Sequence, residues 1–349
     1  MWDIIKINKL NWKIIMHNYK NKQVLVTGGA GFIGAHLVEK LVALGALVTI
    51  LDNFSTGSLA NLAAVKTKIK IITGDICDPD LAKILNLNTQ KLDLSTSLNL
   101  NTTNWDFVFH LAAATSVPES LENPQKYHNI NLTGTLNLLN LFARQLNTPE
   151  IASAVSHTLS QVYKKPKFIF SSSSAVYGEK STICDEQDLC APTSIYGLNK
   201  FMGEQYCQIY SQLYNLPTIC LRYFNVYGPR QNPHGSYAAV YTKFTYNLAH
   251  NLPIIIYGDG AQARDFVTVD QVVTANLQAG LLDNTHLNGQ AVNIGSGAPI
   301  KIIDLLTQLK ANYPAYTGEI KFALARTGDI KLSCAKISKA KSLFMSSIS

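Results

Sequence analysis

The sequence lacks the clusters of side chains that bind metal ions in proteins. It contains six cysteines and eight histidines, but no C-x-x-C pair and no two histidines at zinc-ligand spacing, so we predict no metal site. We interpret the scattered cysteines as reduced thiols of a cytoplasmic protein. Cys184 and Cys190 are close enough in sequence to be bridged, although nothing in the pattern requires it.

Long apolar runs are also missing. In residues 1–20, lysines and asparagines interrupt the apolar positions every few residues, which excludes the continuous apolar segment of a signal peptide or a membrane span. We therefore predict that the N-terminal extension, residues 1–21, is an amphipathic helix that packs on the main domain. The protein is expected to have no membrane partner.

The chain has no dense block of lysines and arginines with interleaved aromatic residues, although its net charge is +7. Without such a block we predict no nucleic-acid partner, and the positive excess suits a pocket for a diphosphate ligand. A content of 47% hydrophobic and 15% charged residues over 349 residues predicts a globular protein of one large domain or two lobes.

Short apolar segments alternate with stretches of helical periodicity over the first two thirds of the chain. Segments of this length and composition are typical of strands that are buried on both faces. The pattern predicts an α/β fold with a Rossmann-type doubly wound parallel sheet. The predicted strands are residues 23–27, 46–51, 69–73, 105–110, 167–171 and 217–223.

Three glycines follow the first predicted strand, and a helix over about residues 32–44 follows them. Gly28, Gly31 and Gly34 are spaced G-x-x-G-x-x-G. Between a strand and a helix, glycines permit a tight turn and let backbone N–H groups approach a pyrophosphate at the positive end of the helix. The segment therefore predicts a dinucleotide cofactor.

An acidic residue at the end of the second strand indicates which dinucleotide is bound. Asp52 stands there, and a carboxylate in this place accepts hydrogen bonds from the adenosine ribose and repels a 2′-phosphate. NAD is therefore favoured over NADP, with a plain turn residue as the alternative for Asp52. Asp75, after the third strand, is a candidate contact of the adenine amino group, and a turn is an equal alternative there.

These features predict how the chain is divided. Residues 22–228 are expected to form the NAD-binding domain, with two surface insertions near 85–104 and 148–165 that carry no recognisable site. The regular alternation fades afterwards, so residues 229–349 are expected to form mainly a smaller C-terminal substrate-binding lobe. One segment after residue 260 can return to the main sheet.

Tyr196 and Lys200 form a Y-x-x-x-K step at the start of a predicted helix. A spacing of four places both side chains on one helical face. A nearby ammonium stabilises a phenolate and so lowers the pKa of a tyrosine towards the neutral range. A run of four serines, residues 171–174, follows the fifth strand, where open α/β sheets place ligands, and a serine there can hold a substrate hydroxyl. The set predicts oxidation of a carbon–hydroxyl group.

With these motifs in place, the chain resembles the extended short-chain dehydrogenases/reductases, and among them the UDP-sugar 4-epimerases. The resemblance runs from about Lys22 to Phe344 and includes further segments: HLAA at 110–113, NLTGT at 131–135, RYFNVYGPR at 222–230, RDF at 264–266 and GDI at 328–330. It implies that Ser173 holds the hydroxyl, Tyr196 is the base and Lys200 its partner, with a UDP-sugar as substrate and a homodimer as assembly. We give His110 no catalytic role.

The resemblance also implies two sets of binding residues. The cofactor set is Gly28, Gly31, Phe32, Ile33, Gly34, Asp52, Asn53, Asp75, Ile76, Leu111, Ala112, Ala113, Asn131, Tyr196, Lys200 and Tyr223. The substrate set is Ser116, Ser173, Asn225 and Arg264, with Arg326 and Asp329 expected to meet the uridine.

The residues after Ser173 favour one reaction over its relatives. The 4,6-dehydratases and decarboxylases of the family resemble S-T-D-E-V-Y-G and S-T-S-E-V-Y-G here, whereas this chain has Ser174 and Ala175. Without an acid beside the serine, elimination lacks its general acid, so we expect epimerisation at C4 through a 4-keto intermediate. A dehydratase or decarboxylase, a dehydrogenase that releases NADH, and an impaired NAD-binding relative stay as alternatives.

Two further expectations concern the sugar and the end of the chain. Ser116-Val117-Pro118, the segment at 231–240 and the small Val292 resemble the epimerases that accept N-acetylated sugars, which makes UDP-N-acetylglucosamine the first choice and UDP-glucose the second. Members of the family continue beyond residues 338–340 through a Gly-Tyr turn and a last helix, whereas this sequence ends at Ser349. We expect a shortened lobe without that closing helix.

Overall fold

The structure is a computed structural model, and it describes residues 15–85, 87, 105–144, 165–233, 240–325 and 330–346. Most of the two predicted insertions lies outside these ranges. The strands are β1 (Gln23–Thr27), β2 (Leu47–Asp52), β3 (Lys70–Thr73), β4 (Phe107–His110), β5 (Lys167–Ser173), β6 (Thr218–Tyr223), β7 (Asn225–Tyr227), β8 (Ile254–Tyr257), β9 (Ala263–Thr268), β10 (Asn288–Ile294), β11 (Pro299–Lys301), β12 (Ile320–Ala323) and β13 (Leu332–Ser333).

The α-helices connect and cover these strands. They are α1 (Phe32–Ala43), α2 (Leu81–Ile84), α3 (Val117–Glu122), α4 (Pro124–His128), α5 (Gly134–Arg144), α6 (Ile195–Tyr214), α7 (Val240–Ala249), α8 (Val269–Leu281), α9 (Ile302–Lys310) and α10 (Ser338–Ser346). A π-helical turn, Asn129–Thr133, joins α4 to α5, and short 3₁₀ turns occupy Leu59–Leu62, Lys66–Lys68, Ser174–Tyr177 and Asn284–His286.

Seven parallel strands form the central sheet, in the order β10-β6-β5-β4-β1-β2-β3. The Rossmann-type parallel sheet that the sequence predicted is thereby confirmed, and each of the six predicted strands lies within two residues of its expected ends or extends past them. The seventh strand, β10, comes from the C-terminal third of the chain and pairs with β6. The order brings the carboxyl ends of all seven strands to one edge.

Helices cover both faces of this sheet because successive strand side chains point to opposite faces. Val24 and Val26 of β1 face one core, which α1 and α8 complete with residues such as Leu37 and Val272. Leu25, between them, faces the second core, which includes Phe142 of α5 and Cys207 of α6. Burial of both faces accounts for the continuous apolar segments in the sequence.

A smaller group of strands and helices stands beside the carboxyl edge of the sheet. Strand β9 lies at its centre and pairs with β7, β11 and β13, while β8 pairs with β12. Helices α7 and α9 pack on β8 around a separate core that includes Phe244, Ile254 and Leu305. We therefore describe this part as the small lobe.

Both ends of the described chain pack on the central domain. Residues 15–19 are helical, and the hydroxyl of buried Tyr19 donates to the carbonyl oxygen of Leu277 at 2.8 Å. At the other end, Ala340 and Phe344 of α10 are buried in the same core. None of the helices in the described ranges combines the length and apolar composition that crossing a membrane requires.

All six cysteines fall within the described ranges, and each has a free thiol. The expectation of reduced thiols agrees with this arrangement, and Cys184 and Cys190 are not bridged.

Candidate active site

The glycine turn fits closely against the neighbouring strand end. Gly28 has a φ of +69°, and a Cβ there would lie 2.7 Å from the backbone nitrogen of Ala112. A Cβ at Gly34 would lie 2.1 Å from the carbonyl oxygen of Gly28. Helix α1 begins after Gly31 without a side-chain cap, so its first N–H groups stay available to an anionic ligand. A pyrophosphate fits this turn.

Asp52 faces the turn from the end of β2. Its Oδ2 accepts a hydrogen bond from Ala30 N at 2.8 Å and its Oδ1 accepts one from Phe54 N at 2.8 Å. Each carboxylate oxygen keeps a second acceptor position. The carboxylate can therefore also accept hydrogen bonds from a ribose, and its charge opposes a 2′-phosphate, which fits NAD.

Asp75 lies at the same edge, two residues after β3. Asn53 Nδ2 donates to one of its carboxylate oxygens and Cys77 N to the other, both at 2.8 Å. Burial raises the pKa of Asp75, but these hydrogen bonds outweigh burial and the pKa is lowered. The Asp75 carboxylate is thus charged and keeps acceptor positions for an amino group.

The remaining predicted cofactor contacts surround this edge. Phe32 and Ile33 begin α1, Leu111–Ala113 follow β4, Ile76 is buried below the turn after β3, and Tyr223 ends β6. Asn131 binds both backbone atoms of Ala114, at 2.8 Å each, and so fixes the segment after β4. The fold thus brings these residues to one edge, and their contacts with NAD stay predictions.

Ser173, Tyr196 and Lys200 come together where β5 ends and α6 begins. The hydroxyl of Ser194 caps α6 by accepting a hydrogen bond from Gly197 N at 3.0 Å, which places Tyr196 and Lys200 in the first turns. Lys200 Nζ donates to the carbonyl oxygen of Ser171 at 2.7 Å and so ties the helix to the strand. Ser173, two residues later, ends the strand beside them.

Burial changes the acid–base properties of this pair. It raises the pKa of Tyr196, while a hydrogen bond with Ser173 lowers it in part. It also lowers the pKa of Lys200 to about 8, against the opposing effect of the Glu204 charge. Lys200 therefore keeps most of its positive charge at neutral pH, yet the pKa of Tyr196 is raised and not lowered as the sequence pattern predicted.

Sequence reasoning missed the ion pair that holds α6 against the sheet. Arg222 of β6 donates to both carboxylate oxygens of Glu204, at 2.9 and 2.7 Å, and Ser172 donates to Glu204 at 2.5 Å. Both charged side chains are almost fully buried. Two signals in the sequence pointed to the pair: Glu204 follows Lys200 by four residues on the same helical face, and Arg222 interrupts an apolar strand.

His110 is held at the end of β4 by two threonines. Its Nδ1 lies 2.8 Å from Thr27 Oγ1 and its Nε2 lies 2.8 Å from Thr135 Oγ1. Because Thr135 donates its proton to the carbonyl oxygen of Asn131, it accepts from Nε2–H, and Thr27 donates to Nδ1. Burial, together with the charge of Lys200, lowers the pKa of His110 to about 3. The ring is thus neutral in the folded protein.

A neutral buried His110 predicts loss of stability in acid. In the unfolded chain its pKa is about 6.5, so the folded state is penalised as the pH falls from 6.5 towards 3. His110→Gln keeps a donor for Thr135 and removes this proton uptake, so the decline between pH 6.5 and 4 should become shallower by about 3 kcal/mol. Urea unfolding at a series of pH values measures it. The exposed control His286→Gln should keep the wild-type slope, and an unchanged slope in His110→Gln would reject this assignment.

Of the predicted substrate residues, Asn225 and Arg264 lie on strands of the small lobe, whereas Ser116 and Ser173 follow or end strands of the central sheet. Asn225 Nδ2 donates to the carbonyl oxygen of Asp265 at 2.9 Å, and Arg264 donates to the carbonyl oxygen of Ala263 at 2.9 Å. Ser116 caps α3 by accepting from Glu119 N at 3.1 Å. Arg326 and Asp329, predicted at the uridine, lie outside the described residues, as do residues 234–239 of the segment compared with N-acetyl-specific epimerases.

The expectation that Val292 leaves room beside the sugar is wrong. Val292 has no exposed surface and packs in the core that α1 and α8 cover. Asn293, the next residue of β10, points the other way and accepts a hydrogen bond from the Tyr177 hydroxyl at 2.7 Å. A side chain without exposed surface does not line an open pocket, so Val292 leaves no room beside a sugar.

Comparisons with known proteins show the family of this chain. The sequence profile described as the NAD dependent epimerase/dehydratase family matches residues 24–295. A protein of Methanocaldococcus jannaschii, named as a candidate UDP-glucose 4-epimerase, is 36% identical over 92% of each chain. The UDP-N-acetyl-alpha-D-glucosaminuronate decarboxylase of Bacillus cytotoxicus is 34% identical over 79% of this chain and 75% of its own length.

One solved structure is similar to this chain over nearly its whole length. The UDP-N-acetylglucosamine 4-epimerase of Methanobrevibacter ruminantium M1, in complex with UDP-N-acetylmuramic acid, is similar to this chain with a TM-score of 0.76 and 33% identity. The similarity covers 94% of this chain and 97% of that one.

Proposed function

The chain belongs to the NAD dependent epimerase/dehydratase family, and on that premise we propose that it inverts C4 of a UDP-hexose through a transient 4-keto sugar. Tyr196, Lys200 and Ser173 are the residues that would act on the C4 hydroxyl. Bound NAD supplies the hydride acceptor and then the hydride donor. The glycine turn and the Asp52 carboxylate would hold it.

The observation that carries the proposal is the turn after Ser173. Ser174–Tyr177 form a 3₁₀ turn that Ser173 caps, because its Oγ accepts a hydrogen bond from Ala175 N at 3.2 Å. The two positions next to Ser173 are a serine and an alanine, and neither side chain can protonate a leaving hydroxyl at neutral pH. Simple removal and return of hydrogen at C4 needs no such acid.

The proton steps follow from the three side chains. Ser173 orients the C4 hydroxyl, and the phenolate of Tyr196 takes its proton while the C4 hydrogen leaves as hydride. Lys200 favours the phenolate by its charge. The 4-keto sugar then turns about the diphosphate linkage, and Tyr196 returns the proton after hydride addition to the opposite face. Firm binding of UDP and looser binding of the sugar suit such a rotation.

For the sugar we propose UDP-N-acetylglucosamine first and UDP-glucose second. The support is the motif Ser116-Val117-Pro118 and the similarity to the Methanobrevibacter structure named above. The size of Val292 no longer contributes, because that side chain is buried in the core.

A single assay tests the activity and the sugar together. Purified protein shown to contain NAD is incubated with each UDP-sugar, without added cofactor, and the C4 epimer is measured by NMR. We expect the epimer from both sugars, faster from the N-acetylated one. If no epimer forms while NAD is present, the epimerase proposal is wrong. Net NADH release would indicate a dehydrogenase, and a 4-keto-6-deoxy sugar, formed by loss of the C6 hydroxyl as water, would indicate a dehydratase.

We also propose that two copies associate through α6. Its outer face exposes Leu198, Ile209 and Leu213, and Leu121 of α3 is exposed as well. Covering apolar side chains is the main gain in subunit association. Sedimentation velocity of the wild-type protein should give twice the chain mass, and Leu213→Asp should shift it towards the monomer. A monomeric wild type would reject the proposal.

A further inference from the structure

A short strap (residues 228–231), which follows β7, connects the small lobe to the loop above the glycine turn. Its backbone is unusual, because Arg230 adopts a φ of +67° and Gly228 one of +156°. A Cβ at Gly228 would lie 2.6 Å from Val269 Cγ1, so the strap is packed tightly against α8. A left-handed backbone is unfavourable for arginine, so the contacts of the Arg230 side chain have to stabilise it.

Arg230 makes three charge-assisted hydrogen bonds to the cofactor domain. Its Nη1 and Nη2 donate to the two carboxylate oxygens of Glu39 on α1, at 2.7 and 2.8 Å. Nη1 also donates to the carbonyl oxygen of Asn61 at 2.7 Å. The bidentate arrangement fixes the guanidinium in direction as well as position, and the side chains of Arg230 and Glu39 are only 25% and 32% exposed.

Asn61 belongs to the covering loop (residues 53–62), which lies directly over the glycine turn. Its side-chain nitrogen donates to the carbonyl oxygen of Ala30 at 2.9 Å, and Ser58 N donates to the same oxygen at 3.1 Å. A Cβ at Gly57 would lie 2.9 Å from Ala30. Arg230 is thus hydrogen-bonded to the covering loop on its outer side, and the covering loop is hydrogen-bonded to the glycine turn.

The next residue of the strap points into the small lobe. Gln231 Nε2 donates to the carbonyl oxygen of Val226 at 3.1 Å, and its Oε1 accepts from the hydroxyl of Thr242 on α7. Arg230 and Gln231 therefore join the covering loop to the small lobe through adjacent residues.

We propose that Arg230 is a positioning residue that keeps the covering loop closed on the glycine turn and so retains NAD between turnovers. The inference rests on the proposed function only in placing NAD at that turn. An enzyme that oxidises and reduces the same sugar has no need to exchange its cofactor, and a closed loop slows that exchange. The Arg230–Glu39 ion pair supplies the closure without touching the reacting atoms.

The test measures the release of NAD and not catalysis. Protein loaded with NAD is mixed with alcohol dehydrogenase and ethanol, which turn released NAD into NADH, followed by absorbance. Arg230→Ala should release NAD about tenfold faster than wild type, because it loses a bidentate pair and a third hydrogen bond. Arg230→Lys keeps the positive charge but cannot make the bidentate pair, so its rate of NAD release should lie between those of the wild type and Arg230→Ala.

Two controls keep the proposal open to refutation. Lys321→Ala breaks an exposed ion pair with Glu319 in the small lobe and should release NAD as the wild type does. If Arg230→Ala fails to fold, Glu39→Gln keeps the shape of the partner and should also speed release. Wild-type release from a folded Arg230→Ala, or from Glu39→Gln, would overturn the inference. A failed epimerase assay with fast release from Arg230→Ala would instead reject the proposed function alone.

Discussion

Tyr196→Phe is expected to lower turnover by about 10³-fold, which is the range for removal of a general acid–base group. The substitution deletes one oxygen and keeps the ring in place on α6. It removes the proposed acceptor of the C4 proton and the hydrogen-bond partner of Ser173. Initial rates of C4 inversion, measured with equal amounts of NAD-loaded protein, give the effect.

The matched control is Tyr206→Phe. Tyr206 lies on the same helix, ten residues further on, and packs against the second core of the sheet. Its change to phenylalanine also deletes one hydroxyl and should leave turnover near the wild-type rate. Normal turnover in Tyr196→Phe would reject Tyr196 as the base, and an equal loss in both variants would indicate a general effect on α6.

Glu204→Met is expected to destabilise the protein by about 3–5 kcal/mol, as found when one partner of a buried ion pair is removed. Arg222 would be left as a buried cation between Ser172 and the Tyr177 ring, whose centroid lies 4.7 Å from the guanidinium carbon. Its Nη1 already has no hydrogen-bond partner. The free energy of unfolding in urea measures the loss.

The double variant Glu204→Met/Arg222→Met should lose less than the sum of the two single variants, because it leaves no buried charge unpaired. Glu319→Gln, which breaks an exposed pair with Lys321, should change stability by less than about 1 kcal/mol. Additive losses in the double variant would mean that the pair contributes packing alone.

What the sequence could predict here is local. The glycine turn, Asp52 at a strand end and the four-residue step from Tyr196 to Lys200 depend on neighbours in the chain, and the strand–turn–helix context restricts their geometry. Spacing along one helix or one strand was enough to bring them to the same edge of the sheet.

What it could not predict depends on register between distant segments. Glu39 and Arg230 are 191 residues apart, and no pattern in the sequence around either residue indicates that the two side chains are in contact. The expectation for Val292 was wrong for a related reason, because a shift of one residue along a strand moves a side chain to the opposite face of the sheet. Its pairing with Leu221, which decides the face, is visible only in the folded sheet.

The position of β10 in the sheet has a consequence for folding during synthesis on the ribosome. β10 completes the edge next to β6, yet α7, β8, β9 and α8 are all synthesised between the two strands. Until Ile294 has emerged, β6 presents an open strand edge, which is a template for pairing with other chains. If translation slows or stops within the small lobe, the exposed edge of β6 should therefore bind chaperones. This holds although the glycine turn has already been synthesised by then.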